Sequence, residues 1–125
     1  MLVRMTRAAL PLRTALAGLA LVLIVPAAGL AATTRVAATA STWSTPRVRI
    51  VRGDTVEWTN RSFRDHSVTS WGRTWSMDEV LGVNGTVSRR FRTLGRFKYR
   101  CRQHSRVSAG VCEGMCGVIR VSAPE

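Results

Sequence analysis

With 125 residues and a formal net charge of +12, the chain has room for one domain and little else, which excludes a large multidomain enzyme. Arginine supplies nearly all of the positive charge, since Lys98 is the only lysine. Such a surface suits acidic proteins, anionic polymers or a membrane surface.

The N-terminus reads as a targeting segment. Arg4, Arg7 and Arg13 precede an uncharged stretch from Thr14 to Thr34, and Gly29, Leu30 and Ala31 offer small residues for cleavage. A basic start, an apolar run and a small-residue site in that order predict a secretory signal over residues 1–31. The competing expectation is an uncleaved anchor through residues 14–34. Cleavage leaves about 94 residues, and losing those three arginines lowers the charge from +12 to +9. The mature part is then expected outside the cytoplasm, secreted or in the cell envelope, with no membrane span of its own. Nucleic acid is not an expected partner, because the arginines are spread along strand-like segments and an exported protein rarely meets it.

Residues 32–45 are small and polar, with Val36 and Trp43 as anchors, and predict a linker or a first edge strand before a domain over residues 46–125. Val48 and Ile50 then alternate with Arg47 and Arg49, Gly53-Asp54 marks a turn, and Val56 and Trp58 alternate with Thr55, Glu57 and Thr59. His66 opens a short strand with Val68. Ser76 to Leu81 has the composition of a short helical turn. Asn84-Gly85 is a hairpin-type dipeptide. It is followed by Val87, Arg89 and Phe91 in alternation, and after Gly95 by Phe97, Tyr99 and Cys101 opposite Arg96, Lys98 and Arg100. The last strand is expected at Val118–Ser122, with Ile119 and Val121 inward. Period two in short runs between turn residues predicts an all-β antiparallel sandwich or barrel.

The chemistry sits on few residues. There are two histidines, His66 and His104, and three cysteines, Cys101, Cys112 and Cys116. An odd cysteine count in an exported chain leaves one thiol over, and a metal thiolate is a use for it. Cys101 ends a strand whose inner face is Phe97 and Tyr99, and His104 follows at C-x-x-H spacing. Two imidazoles, one thiolate and the thioether of Met115 as a weak axial ligand make a donor set suited to copper cycling between two oxidation states.

Four segments stand in order: Val51-Arg52-Gly53-Asp54-Thr55-Val56-Glu57-Trp58-Thr59-Asn60, then His66-Ser67-Val68, then Gly95-Arg96-Phe97-Lys98-Tyr99-Arg100-Cys101-Arg102-Gln103-His104, then Gly114-Met115-Cys116-Gly117-Val118-Ile119-Arg120-Val121. In these the chain resembles the cupredoxins of the plastocyanin and amicyanin type. The resemblance covers most of residues 46–122. It implies a Greek-key β-sandwich and one type 1 copper ion on His66, Cys101, His104 and Met115. It also implies single-electron transfer, rather than enzymatic turnover, with a redox partner protein; the basic surface suggests an acidic docking face on that partner. A monomer is expected. Three departures stand out. The interval from His104 to Met115 is long. Cys112 and Cys116 flank Met115 at a spacing that a turn at Gly114 would let a disulfide bridge. Phe63-Arg64-Asp65 precedes His66, where the family often has proline. Asn60 is expected as a strand-end turn former, and Ser67 as a hydrogen-bonding support for the ligand loop.

Three other readings compete. Cys101, His104, Cys112 and Cys116 have Cys3His spacing for a structural zinc module, which needs every thiol reduced and gives His66 no role. A binuclear copper centre would need a histidine after Cys116, and none follows. A copper carrier or store without an electron partner needs the same ligands as the electron carrier.

Overall fold

The computed structural model describes Ala9, residues 21–24 and residues 29–125. The expected signal segment and the alternative anchor fall mostly outside these. Among the described residues no helix is long and apolar enough to cross a membrane.

Eight strands follow one another: β1 Thr33–Ala38, β2 Arg47–Val51, β3 Thr55–Asn60, β4 His66–Ser70, β5 Asp78–Leu81, β6 Thr86–Arg90, β7 Gly95–Ser108 and β8 Val111–Ser122. They form a three-stranded sheet in the order β1-β3-β6 and a five-stranded sheet in the order β2-β8-β7-β4-β5. This is the all-β sandwich that the alternating pattern predicts. The alternation sets what goes inside: Val48 and Ile50 of β2, Val56 and Trp58 of β3, Phe97, Tyr99 and Cys101 of β7, and Ile119 and Val121 of β8 are all buried. Tyr99 lies at the centre, edge-on to Trp43 at 5.2 Å and to Trp58 at 5.3 Å between ring centroids. Offset and edge-on rings of this kind add about 0.5–1.5 kcal/mol to the burial itself.

Of the two readings of residues 32–45, the first edge strand is the one found: β1 lies at the edge of the three-stranded sheet, with Val36, Ala38 and Trp43 in the core. Three expectations need correction. The sheets are mixed, because β1 pairs β3 and β2 pairs β8 in parallel; side-chain period reports which face is buried and says nothing of strand direction. Ser76 to Leu81 forms no helical turn: Asp78–Leu81 is a strand laid along β4, with His66 opposite Leu81. Asn84-Gly85 does turn the chain, with Asn84 at φ 60° and the Gly85 N–H donating to the Gly82 carbonyl at 2.8 Å. The strands on either side pair elsewhere, β5 with β4 and β6 with β3. The turn therefore carries the chain from one sheet to the other instead of closing a hairpin.

The long His104–Met115 interval is not a loop. β7 runs on to Ser108 and β8 starts at Val111, so residues 105–114 form a two-stranded ribbon with Ser108 opposite Val111. Ala109 and Gly110 at its tip have φ of 48° and 74°, the double left-handed geometry of a tight hairpin turn.

Candidate metal centre

The site is made by a bulge. Along β7 and β8, Arg100 faces Cys116 and the next paired residues are Ser105 and Gly114. Four residues, Cys101 to His104, therefore stand against Met115 alone. A regular strand would send Cys101 and His104 to opposite faces. The bulge turns both onto one point. It is fastened by the Ser105 hydroxyl, which donates to the Cys101 carbonyl.

His66 comes to the same point from β4. Its Nδ1 lies 3.5 Å from Cys101 Sγ, and Nδ1 of His104 lies 3.4 Å from the same sulfur. One donor atom from each of the three residues falls within a set no more than 4.8 Å across. His66 and Cys101 are fully buried, and His104 is partly exposed. Burial, and then the neighbouring His104, holds the His66 imidazole below the ordinary histidine range, which keeps it neutral and its lone pair available.

Hydrogen bonds decide which nitrogen of His66 carries the proton. Asn60 Nδ2 donates to the carbonyls of Arg64 at 2.7 Å and Leu81 at 3.0 Å, which fixes the amide orientation. Asn60 Oδ1 then accepts from the Ser62 N–H at 2.9 Å and from its hydroxyl at 2.8 Å. With its proton directed to Asn60, or to the Arg64 carbonyl at 3.1 Å, Ser62 Oγ accepts from His66 Nε2 at 2.8 Å. The imidazole is thus protonated on Nε2 and presents the Nδ1 lone pair toward Cys101. Ser67, also fully buried, accepts from the Arg102 N–H at 2.9 Å. That bond ties β4 to the bulge where the β4–β7 ladder has ended, the last ladder pair being Thr69 with Arg100.

Met115 is buried on the inward side of β8, opposite the bulge. Its carbonyl accepts from Trp43 Nε1 at 3.2 Å. Cys112 and Cys116 are joined in a disulfide. This overturns the structural zinc reading, whose ligand set needs both sulfurs as thiolates. Cys101 is the one free cysteine.

Sequence reasoning anticipated Ser67 and Asn60 near the site and missed Ser62 and Trp43. Ser62 lies two residues past the strand-end Asn60, a position from which a hydroxyl closes a local turn. Nothing in the spacing of Trp43 links it to Met115, 72 residues away.

Neither a family model nor a curated protein matches the chain. Solved structures do. An amicyanin variant described as Cu(I) is 21% identical, covers 72% of this chain and 82% of its own, and superposes with a TM-score of 0.61. The crystal structure of amicyanin from Paracoccus versutus is 23% identical over 79% of this chain and 86% of its own, with a TM-score of 0.59. A further amicyanin variant, a reduced Cu(I) form at pH 4, is 22% identical over 72% and 82%, with a TM-score of 0.61. The chain has the cupredoxin fold. Amicyanins are among the solved proteins it is similar to, at identities where the likeness speaks for the fold.

Proposed function

We propose that this protein is an exported single-electron carrier with one type 1 copper ion that His66, Cys101 and His104 would hold together with the Met115 thioether. The observation that carries the reading is the convergence of two imidazole Nδ1 atoms and one buried thiol within 4.8 Å. The donor chemistry fits: thiolate and thioether favour Cu(I), imidazole serves both states, and bound copper would supply the one-electron couple. The chain's own residues do the rest. Asn60 and Ser62 fix the His66 tautomer, Ser67 and Ser105 fix the bulge, and the adjoining strands β4, β7 and β8 of the five-stranded sheet hold the donors at set distances so that little rearranges on electron transfer. Partial exposure of His104 gives electrons a short way out. An enzyme with a second copper centre would need further histidines, and the chain has two. The N-terminal sequence supports delivery outside the cytoplasm, and the basic surface supports an acidic redox partner protein.

The test is the visible spectrum of the mature domain with added Cu(II). An intense thiolate-to-copper band that His66→Ala abolishes is the expected result. A colourless protein would rule the type 1 site out. The carrier-without-partner reading separates on redox cycling: a store would exchange electrons slowly with every small donor tried.

A further inference from the structure

The outward face of the five-stranded sheet holds a charge arrangement that folding does not explain. Register places Arg49, Arg120 and Arg96 side by side on β2, β8 and β7. The next row is Arg47, Val118 and Lys98, and the one after it holds Cys116, Arg100 and Thr69. Six basic side chains thus occupy three adjoining rows, and none of the six has an acidic residue directly across from it; the one acidic residue in register is Asp78, beyond Thr69 at the end of the Arg100 row. Like charges directly opposite one another destabilise a sheet. The two ion pairs among the described residues, Arg35 with Glu57 and Arg102 with Asp78, use none of the six. Neighbouring strands lie about 4.8 Å apart, so the Arg49–Arg120–Arg96 row spans about 10 Å.

Beside the basic rows is a depression of about 590 Å³ lined by Pro46, Arg47, Trp71, Lys98 and the Cys112–Cys116 disulfide. Lys98 Nζ sits 4.0 Å from the Trp71 ring centroid. The position of this face matters as much as its charge. Arg100 immediately precedes Cys101, and Cys116 immediately follows Met115. Anything seated here is one peptide unit from two of the four candidate ligands.

We infer that this face is a docking surface for the acidic surface of a partner protein, with Arg47, Arg49, Arg96, Lys98 and Arg120 pairing with its carboxylates and Trp71 as the apolar anchor. The inference rests on the electron-carrier reading for the partner's role, but not for the binding. Arginine forks match carboxylates in a bidentate way, and interface cores are enriched in Trp and Arg. A lipid surface or a phosphate polymer would engage the charge alone and leave the aromatic depression without use.

The test titrates the metal-free and the copper-loaded protein with poly-L-glutamate, followed by backbone amide NMR and tryptophan fluorescence. Expected are shifts concentrated in residues 46–50, 71, 96–100 and 116–120, weakening with salt. The combined Arg49→Glu, Arg96→Glu and Arg120→Glu variant should lose about tenfold or more in affinity. A charge-matched control, Arg61→Glu, Arg64→Glu and Arg92→Glu, should lose far less. Equal losses in the two variants would overturn the proposal in favour of net charge. Tighter binding of polyphosphate or of phosphatidylglycerol vesicles than of poly-L-glutamate would overturn it in favour of a phosphate polymer or a membrane. If the protein takes up no copper, the electron-carrier reading fails while the metal-free titration still decides the docking face.

Discussion

Gly114 passes so close to the His104 carbonyl that a Cβ at residue 114 would overlap it, and Gly114 holds φ at 91°. The His104 backbone therefore sits where it does only because residue 114 has no side chain. The contact seats the base of the ribbon against the end of the bulge, and so sets where one candidate ligand points.

Gly114→Ala should consequently damage the site more than the fold. A left-handed φ on a non-glycine residue and a backbone overlap together cost roughly 1–3 kcal/mol or more. Copper titration should show weaker binding and a shifted thiolate band, while the far-ultraviolet spectrum stays that of a β-sandwich. Unchanged copper affinity would show that His104 is placed by other contacts.

Ser62→Ala removes the acceptor of the His66 Nε2 proton. In the metal-free protein, imidazole nitrogen shifts should report the Nε2-protonated form in the wild type and a mixture of tautomers in the variant. Losing a partner of this kind costs about 10–100-fold in metal affinity. A wild-type protein protonated on Nδ1 would contradict the assignment.

Replacing Cys112 and Cys116 together by serine opens a ring of sequence separation 4 beside Met115. Loop-closure entropy for so short a ring predicts a loss of roughly 2 kcal/mol, read from the denaturant midpoint. The same change should leave Cys101, His104 and His66 in place, so a copper band of altered energy, rather than its disappearance, is expected.

Tyr99 gives a pH dependence that needs no metal. It is the single tyrosine, its hydroxyl is buried without a hydrogen-bond partner, and burial pushes its pKa up to about 12 from 10.0. The unfolded state loses that proton first, so the stabilising effect is whole below pH 10 and is lost as pH rises from 10 towards 12. Roughly 2–3 kcal/mol is at stake. Denaturant unfolding between pH 8 and 11.5 should show the decline, Tyr99→Phe should flatten it, and tyrosinate absorbance at about 295 nm should rise only as the protein unfolds.

What the sequence by itself determined is the inside and outside of each strand and the donor inventory. Val48 and Ile50, Phe97, Tyr99 and Cys101, and Ile119 and Val121 were legible as inward because side chains alternate with a period of two, a local property. The two histidines and the odd cysteine were legible because such donors are scarce in this chain. Tertiary structure alone decided strand direction, the crossing at Asn84-Gly85 and the strand at Asp78–Leu81, since partners distant in sequence supply those hydrogen bonds. It also decided the ribbon at residues 105–114 and the four-against-one bulge, because a bulge is a mismatch between two strands and neither strand shows it alone. The bond from Ser62 to His66 and that from Trp43 to Met115 belong to the same class: each joins residues through space, and alternation carries no information about what lies across it.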